Sequence, residues 1–189
     1  MPIEGRTLGE AARAFRDYLN GVLARTVAET QLVLIPAGSR VQVAFRRGGQ
    51  PVRAPLYTRF GAVGLYLGQV CEGIAVSSRA QRLVTVAYTY TLTVEGAEER
   101  LLRWEYVHQP PADARWCRHH LQGNVPLQVG RWALSLNDLH TPTGYVTIEE
   151  ILRFCIVDLG VQPRGEDWHA VLETSYRRFK DDFAPRGEI

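Results

Sequence analysis

Leu83-Val84-Thr85-Val86-Ala87-Tyr88-Thr89-Tyr90-Thr91-Leu92-Thr93-Val94 is the stretch that decides the fold. Apolar or aromatic residues alternate with threonines along most of it, the period of a strand buried on one side. That spacing predicts Val84, Val86, Tyr88, Tyr90 and Leu92 on one face and Thr85, Thr89, Thr91 and Thr93 on the other. The turn-like Glu95-Gly96-Ala97-Glu98 leads to a partner strand from Arg100 to Val107, where Leu102, Trp104 and Tyr106 oppose Arg103 and Glu105. Strands joined by so short a turn are antiparallel, and an antiparallel sheet can leave one face polar. Function is expected on that polar face.

Working toward the N-terminus, Gln31 to Pro36 and Arg40 to Arg46 flank Ala37-Gly38-Ser39 and read as a hairpin. Arg47 to Pro51 reads as a loop, and Gly61 to Val70 as a further strand or strand pair. The glycines of that stretch match no phosphate-binding motif; bulges or close approach account for them. Ahead of these strands, Thr7 and Glu10 have capping-box spacing. Leu8, Ala11, Ala12, Phe15, Leu19, Val22, Leu23 and Val27 then recur at helical spacing, which predicts a helix from Leu8 to about Glu29.

Toward the C-terminus, Arg115 to Gln122 and Arg131 to Leu136 read as strands. Thr147 and Glu150 form a second capping box, predicting a helix from Ile148 to Leu159 stopped by Gly160 and Pro163. A last helix is expected from about Asp167, with Trp168, Val171, Leu172, Tyr176, Phe179 and Phe183 on its apolar face. The expected class is α+β: an N-terminal helix, an antiparallel sheet of five to seven strands and two C-terminal helices, in a single domain spanning residues 1–189.

The chain is 46% hydrophobic and 22% charged, a balance that excludes extended disorder and permits a core without metal or disulfide staples. Cys71, Cys117 and Cys155 are odd in number and form no CxxC pair, so reduced, mostly buried thiols are expected. Neither a signal peptide nor the roughly 20 apolar residues of a membrane span is recognisable, and a cytoplasmic location is expected. No cofactor-binding motif is present.

Charge is unevenly spread. No acidic residue lies between Glu29 and Glu72, whereas Arg40, Arg46, Arg47, Arg53 and Arg59 do. They are interleaved with Phe45, Tyr57, Phe60 and Tyr66, a composition suited to phosphates and unpaired bases. A solvated hairpin with aromatics in the core is the plainer account of the same residues. The densest reactive segment runs from Arg103 to His120 and holds Glu105, His108, Arg115, Cys117, Arg118 and His119 between its ends. Cleaving RNA without a metal requires a base for the 2′-hydroxyl, an acid for the leaving oxygen and cations for the phosphate. Glu105, His119 and His120 suit the first two roles, and Arg103 and Arg115 the third. If the strand through them is extended, His119 and His120 point to opposite faces, so at most one can share a site with Glu105. Asp138 and His140, with the two adjacent histidines, would form a competing metal site, but no diagnostic ligand spacing supports one.

Leu102-Arg103-Trp104-Glu105-Tyr106, the following Arg118-His119-His120 and the helix Thr147-Ile148-Glu149-Glu150-Ile151-Leu152-Arg153-Phe154 together resemble the TumE-like toxins of bacterial toxin–antitoxin systems. The resemblance covers Leu83 to Gly160. The histidines here stand farther from the Arg/Glu strand, beyond Pro110-Pro111, and the first eighty residues and last helix have no counterpart. The resemblance implies an RNA-directed toxin with a helix-turn-helix antitoxin as partner. The leading expectation is therefore an RNA-acting protein of toxin–antitoxin or defence type. The alternative is a non-catalytic module that binds a protein or assembles into a larger complex; a small-molecule enzyme on the same sheet face comes third.

Overall fold

A computed structural model describes residues 4–96, 100–114 and 116–182. Helix α1 spans Leu8–Thr26. Strands β1 (Glu4–Gly5), β2 (Leu32–Ala37), β3 (Arg40–Arg47), β4 (Gln50–Pro51), β5 (Ala54–Thr58), β6 (Gly61–Ser77), β7 (Ala80–Val94), β8 (Arg100–Val107), β9 (His119–Gln122), β10 (Pro126–Val129), β11 (Trp132–Ser135) and β12 (Thr141–Pro142) accompany α1 and the two final helices, α2 (Ile148–Val157) and α3 (Trp168–Asp182). Seven strands run side by side in the order β12-β9-β8-β7-β6-β3-β2; β1, β4 and β5 add to β7, β3 and β6, completing ten strands. Every strand pairing among the described residues is antiparallel. This is the α+β class that the sequence predicts, with the expected helix at one end and two at the other. Strands β10 and β11 form a separate hairpin.

The helices begin where the caps place them. Thr7 Oγ1 accepts from the Glu10 amide at 3.2 Å, while the Glu10 carboxylate accepts from Arg6 rather than from Thr7 itself. At α2 the box is reciprocal: Thr147 Oγ1 accepts from the Glu150 amide at 3.2 Å and Glu150 Oε2 from the Thr147 amide at 2.7 Å. Gly160, at φ 75°, turns the chain away just beyond α2, a conformation that needs no Cβ.

All three helices cover one face of the sheet. Phe15, Leu19 and Leu23 of α1, Ile151 and Leu152 of α2, and Leu172 and Phe179 of α3 share one core with Val41, Val43 and Phe45 of β3, Leu65 and Leu67 of β6, Tyr88, Tyr90 and Leu92 of β7, and Trp104 and Tyr106 of β8. Each such apolar side chain contributes roughly 1.5–3 kcal/mol by leaving water. Asn20 ties α1 to the sheet edge through the Leu32 amide at 2.8 Å and the Leu32 carbonyl at 3.2 Å.

Two bulges correct the expected parity. Val70 pairs with Ala87 but Cys71 with Thr85, so Val86 is an extra residue in β7. One inserted residue exchanges the faces of everything beyond it. Leu83 and Thr85 therefore lie buried on the helix side with Tyr88, and Val84 and Val86 do not. Likewise Leu92 pairs with Leu102 but Thr93 with Arg100, which makes Leu101 the extra residue of β8. The strand expected from Arg115 begins only at His119, and Arg115 itself lies outside the described residues. Among the described residues no helix is long and apolar enough to cross a membrane.

Candidate functional site

The sheet face that the described helices leave open carries Arg103, Glu105 and His120, and strand register assembles them. Glu105 stands opposite His120, and Arg103 opposite Gln122, across the β8–β9 ladder. On their other flank Glu105 pairs with Thr89 and Arg103 with Thr91. Directly opposed residues bring their Cβ atoms to about 4.5–5.5 Å, which puts these side chains in reach of one another.

The contacts form one network. Arg103 Nη2 lies 2.8 Å from Glu105 Oε2 and also donates to Gln122 Oε1. His120 Nε2 approaches the same Glu105 oxygen at 3.3 Å. Its Nδ1 lies 2.9 Å from the Cys117 carbonyl, which can only accept, so Nδ1 carries a proton. Because Gln122 Oε1 is engaged by Arg103, the Gln122 amide nitrogen donates to His140 Nε2 at 3.2 Å. The His120 and His140 rings are 5.1 Å apart.

Arg103 and Glu105 are a quarter exposed, whereas His120 is buried. Burial pulls the Arg103 guanidinium below its usual range; Glu105 opposes that shift and Arg100 reinforces it. The group stays cationic, since arginine does not deprotonate in proteins. Both residues open onto a cavity of about 450 Å³ whose wall also includes Arg53, Tyr66, Thr91 and Arg100. Three arginines against one glutamate leave its field positive, which favours an anion. A carboxylate held by a guanidinium at an open cavity can accept a proton, and the neighbouring guanidinium groups can stabilise developing negative charge.

His119 is not part of this arrangement. It faces the helix side, stacked on Tyr106 with centroids 4.4 Å apart and planes 6° apart, and stands edge-on to Tyr145. His108 belongs to that side too: its Nδ1 lies 2.9 Å from the Tyr106 hydroxyl and 3.1 Å from Arg118 Nη2. Of the two adjacent histidines, therefore, only His120 meets Glu105. Cys71 and Cys155 are buried, and burial pushes both thiols up to about 12. Two of the three cysteines are thus buried, as expected of most of them, and Cys117 is exposed.

The five arginines of the acid-free segment do not converge. Arg40 pairs with Glu72, its cross-strand neighbour. Arg59 lies over the Phe60 ring at 4.8 Å. Arg46 is half-buried, and its charge pulls down the phenol of Tyr66, which burial otherwise raises. Arg47 opens onto a second cavity, near Tyr57, and Arg53 borders both that cavity and the first. Only Arg53 of the five therefore shares the cavity of Arg103 and Glu105.

Gln122, Arg100 and the place of His140 beside Gln122 escaped the sequence reading. Gln122 has the strand parity of His120 and could have been found from it. Arg100 has the opposite parity to Arg103, and only the Leu101 bulge brings the two to one cavity. For the metal alternative, no group of three or more His, Cys, Asp and Glu side chains able to hold an ion occurs among the described residues. Asp138 instead closes a 3-10 turn, Leu136–Asp138, by accepting from the Ser135 amide. Comparison of the chain with protein-family models, with curated proteins and with solved structures finds no match.

Proposed function

We propose that this protein binds RNA on the open face of its sheet and cleaves it by acid–base transesterification. One observation carries the proposal: Glu105 and His120 meet across adjacent strands, beside Arg103, at the rim of a cationic cavity. Glu105, held by Arg103 and facing His120 across the ladder, takes the proton of a ribose 2′-hydroxyl as that oxygen attacks phosphorus. Arg103 and Arg100 hold the phosphate as its charge rises. The bond to the 5′-oxygen breaks, and that oxygen receives a proton from a histidine. His140 suits this last role better than His120, because His120 is buried with Nδ1 tied to the Cys117 carbonyl, whereas His140 is exposed. The products are a 2′,3′-cyclic phosphate and a free 5′-hydroxyl. The resemblance to TumE-like toxins supports the same substrate and adds a cognate antitoxin as the partner that would hold the activity in check.

The test is cleavage of end-labelled RNA in the presence of a chelator. Wild type should yield cyclic-phosphate ends. Glu105→Gln and His140→Ala should each slow cleavage by roughly 10²–10⁴-fold without an appreciable change in the unfolding midpoint. Cleavage by Glu105→Gln at the wild-type rate would remove the assignment, and the sheet face would then be a binding surface only.

A further inference from the structure

Building on the proposed RNA site, we infer that its nucleic acid is single-stranded and leaves the catalytic end along a diagonal track to Tyr57 and Phe60 at the β5–β6 turn. Register places the steps of this track on one sheet face. Glu105 pairs with Thr89, which pairs with Gly68; Arg103 pairs with Thr91, which pairs with Tyr66; Arg100 pairs with Thr93, which pairs with Gly64. Gly64 in turn pairs with Pro55, and Ala62 with Tyr57. Because 62, 64, 66 and 68 alternate with the buried Val63, Leu65 and Leu67, Tyr57 stands on the same face as Glu105.

Two glycines keep that face low enough to be followed. A Cβ at Gly64 would sit 2.9 Å from the Arg53 side chain, and one at Gly68 would sit 2.9 Å from the Tyr66 hydroxyl. Arg53 and Tyr66 therefore lie flat across the strand where any larger residue would lift them. Arg53 also borders a second cavity with Tyr57 and Arg47, at the sheet edge, whose far wall runs from Val27 to Thr30 and from Val161 to Arg164. The track ends on Tyr57 and Phe60, 76% and 73% exposed, with the Arg59 guanidinium over the Phe60 ring. Rings so open contribute little to the core, and Phe60 offers a ligand the face that Arg59 does not cover.

Cation, ring, cation, ring is the order that single-stranded nucleic acid requires: guanidinium groups for successive phosphates, aromatic faces for unpaired bases. Three strand spacings and six residues of strand set the span from Glu105 to Tyr57 at about 25 Å, the scale of a footprint of roughly 4–16 nucleotides. Bases already paired in a duplex have no faces to offer Tyr57 and Phe60.

The experiment uses the full chain carrying Glu105→Gln, so that bound RNA survives, and follows fluorescence anisotropy of a labelled 12-nucleotide single strand, its duplex and a trinucleotide. The parent should bind the single strand well above the duplex. Adding Tyr57→Ala and Phe60→Ala should weaken the 12-mer by roughly fivefold or more and leave the trinucleotide unchanged, because it does not reach the turn. Arg53→Ala should lower the salt slope for the 12-mer by about 0.7. Equal affinity for strand and duplex, or a 12-mer indifferent to the aromatic variants, would overturn the track while the cleavage reading stands. So would loss of self-association in sedimentation with RNA affinity untouched, which would assign the rings to a protein contact. No RNA binding by the parent, together with no cleavage by wild type, would remove both.

Discussion

Glu149 is buried as the second residue of α2, where its carboxylate accepts from the Ser175 hydroxyl of α3. Burial raises its pKa above the ordinary 4.5; hydrogen bonds from Ser175, its own backbone amide and Thr147 oppose the rise, and Glu150 adds to it. The sign follows from proton binding. With the folded pKa above the unfolded one, the native state holds its proton more tightly, so the stabilisation is complete below pH 4.5 and is lost as pH rises through the folded pKa. One such proton changes stability by at most about 1.4 kcal/mol for each step of one in pH, which moves the unfolding midpoint of a chain of this size by roughly 3–6 °C. Glu149→Gln keeps an acceptor for Ser175 and removes the ionisation. Urea unfolding of both proteins at about pH 4.5, 6 and 8, spanning the window set by the raised pKa, should show them close in stability at the lowest pH, with the variant gaining on wild type as pH rises. A difference that stays flat, or one in which wild type gains, would refute the reasoning.

Gly123 ends the strand bearing His120 and Gln122, and a Cβ there would fall 2.2 Å from the Leu101 carbonyl oxygen, a backbone atom that cannot step aside. Gly123→Ala should therefore cost roughly 1–3 kcal/mol or more in chemical denaturation and disturb RNA cleavage as well, by shifting β9 against β8. The cysteines offer a check on the fold that needs no mutation. Cys117 should react with a thiol reagent in the native protein within minutes, and Cys71 and Cys155 only on unfolding, since both are buried thiols held at about 12.

The helices and the β7–β8 pair were legible because their signals are local. Thr147 and Glu150 need only their own backbone to form a capping box, and the Tyr88-Tyr90-Leu92 alternation needs only the pleat. The faces of Val84, Val86 and Arg100 were not legible. Each depends on a one-residue mismatch with a partner strand, which appears only when both strands are aligned. The choice between His119 and His120 stayed open for a different reason: both parity groups in that segment mix polar and apolar residues. The acid-free run misled in another way. Arg40 finds its carboxylate in Glu72, 32 positions along the chain, so a local surplus of charge in sequence need not be a patch in space.

The arrangement of polar groups across the sheet supports a functional rather than a structural reading of Glu105. A buried or half-buried ion pair seldom adds net stability, because desolvation offsets much of its attraction. The Arg103–Glu105 pair is three-quarters covered yet opens onto a cavity instead of bracing two elements of the core. The Leu101 bulge then adds Arg100 to the same wall, a like charge that costs stability where it stands. Three arginines around one carboxylate, on the sheet face that the described helices leave open, suit an anionic ligand, whose charge would relieve their mutual repulsion. Ligand-dependent stabilisation by a short oligoribonucleotide should therefore fall when Arg100 is replaced by alanine, even though the empty variant is itself no less stable than wild type.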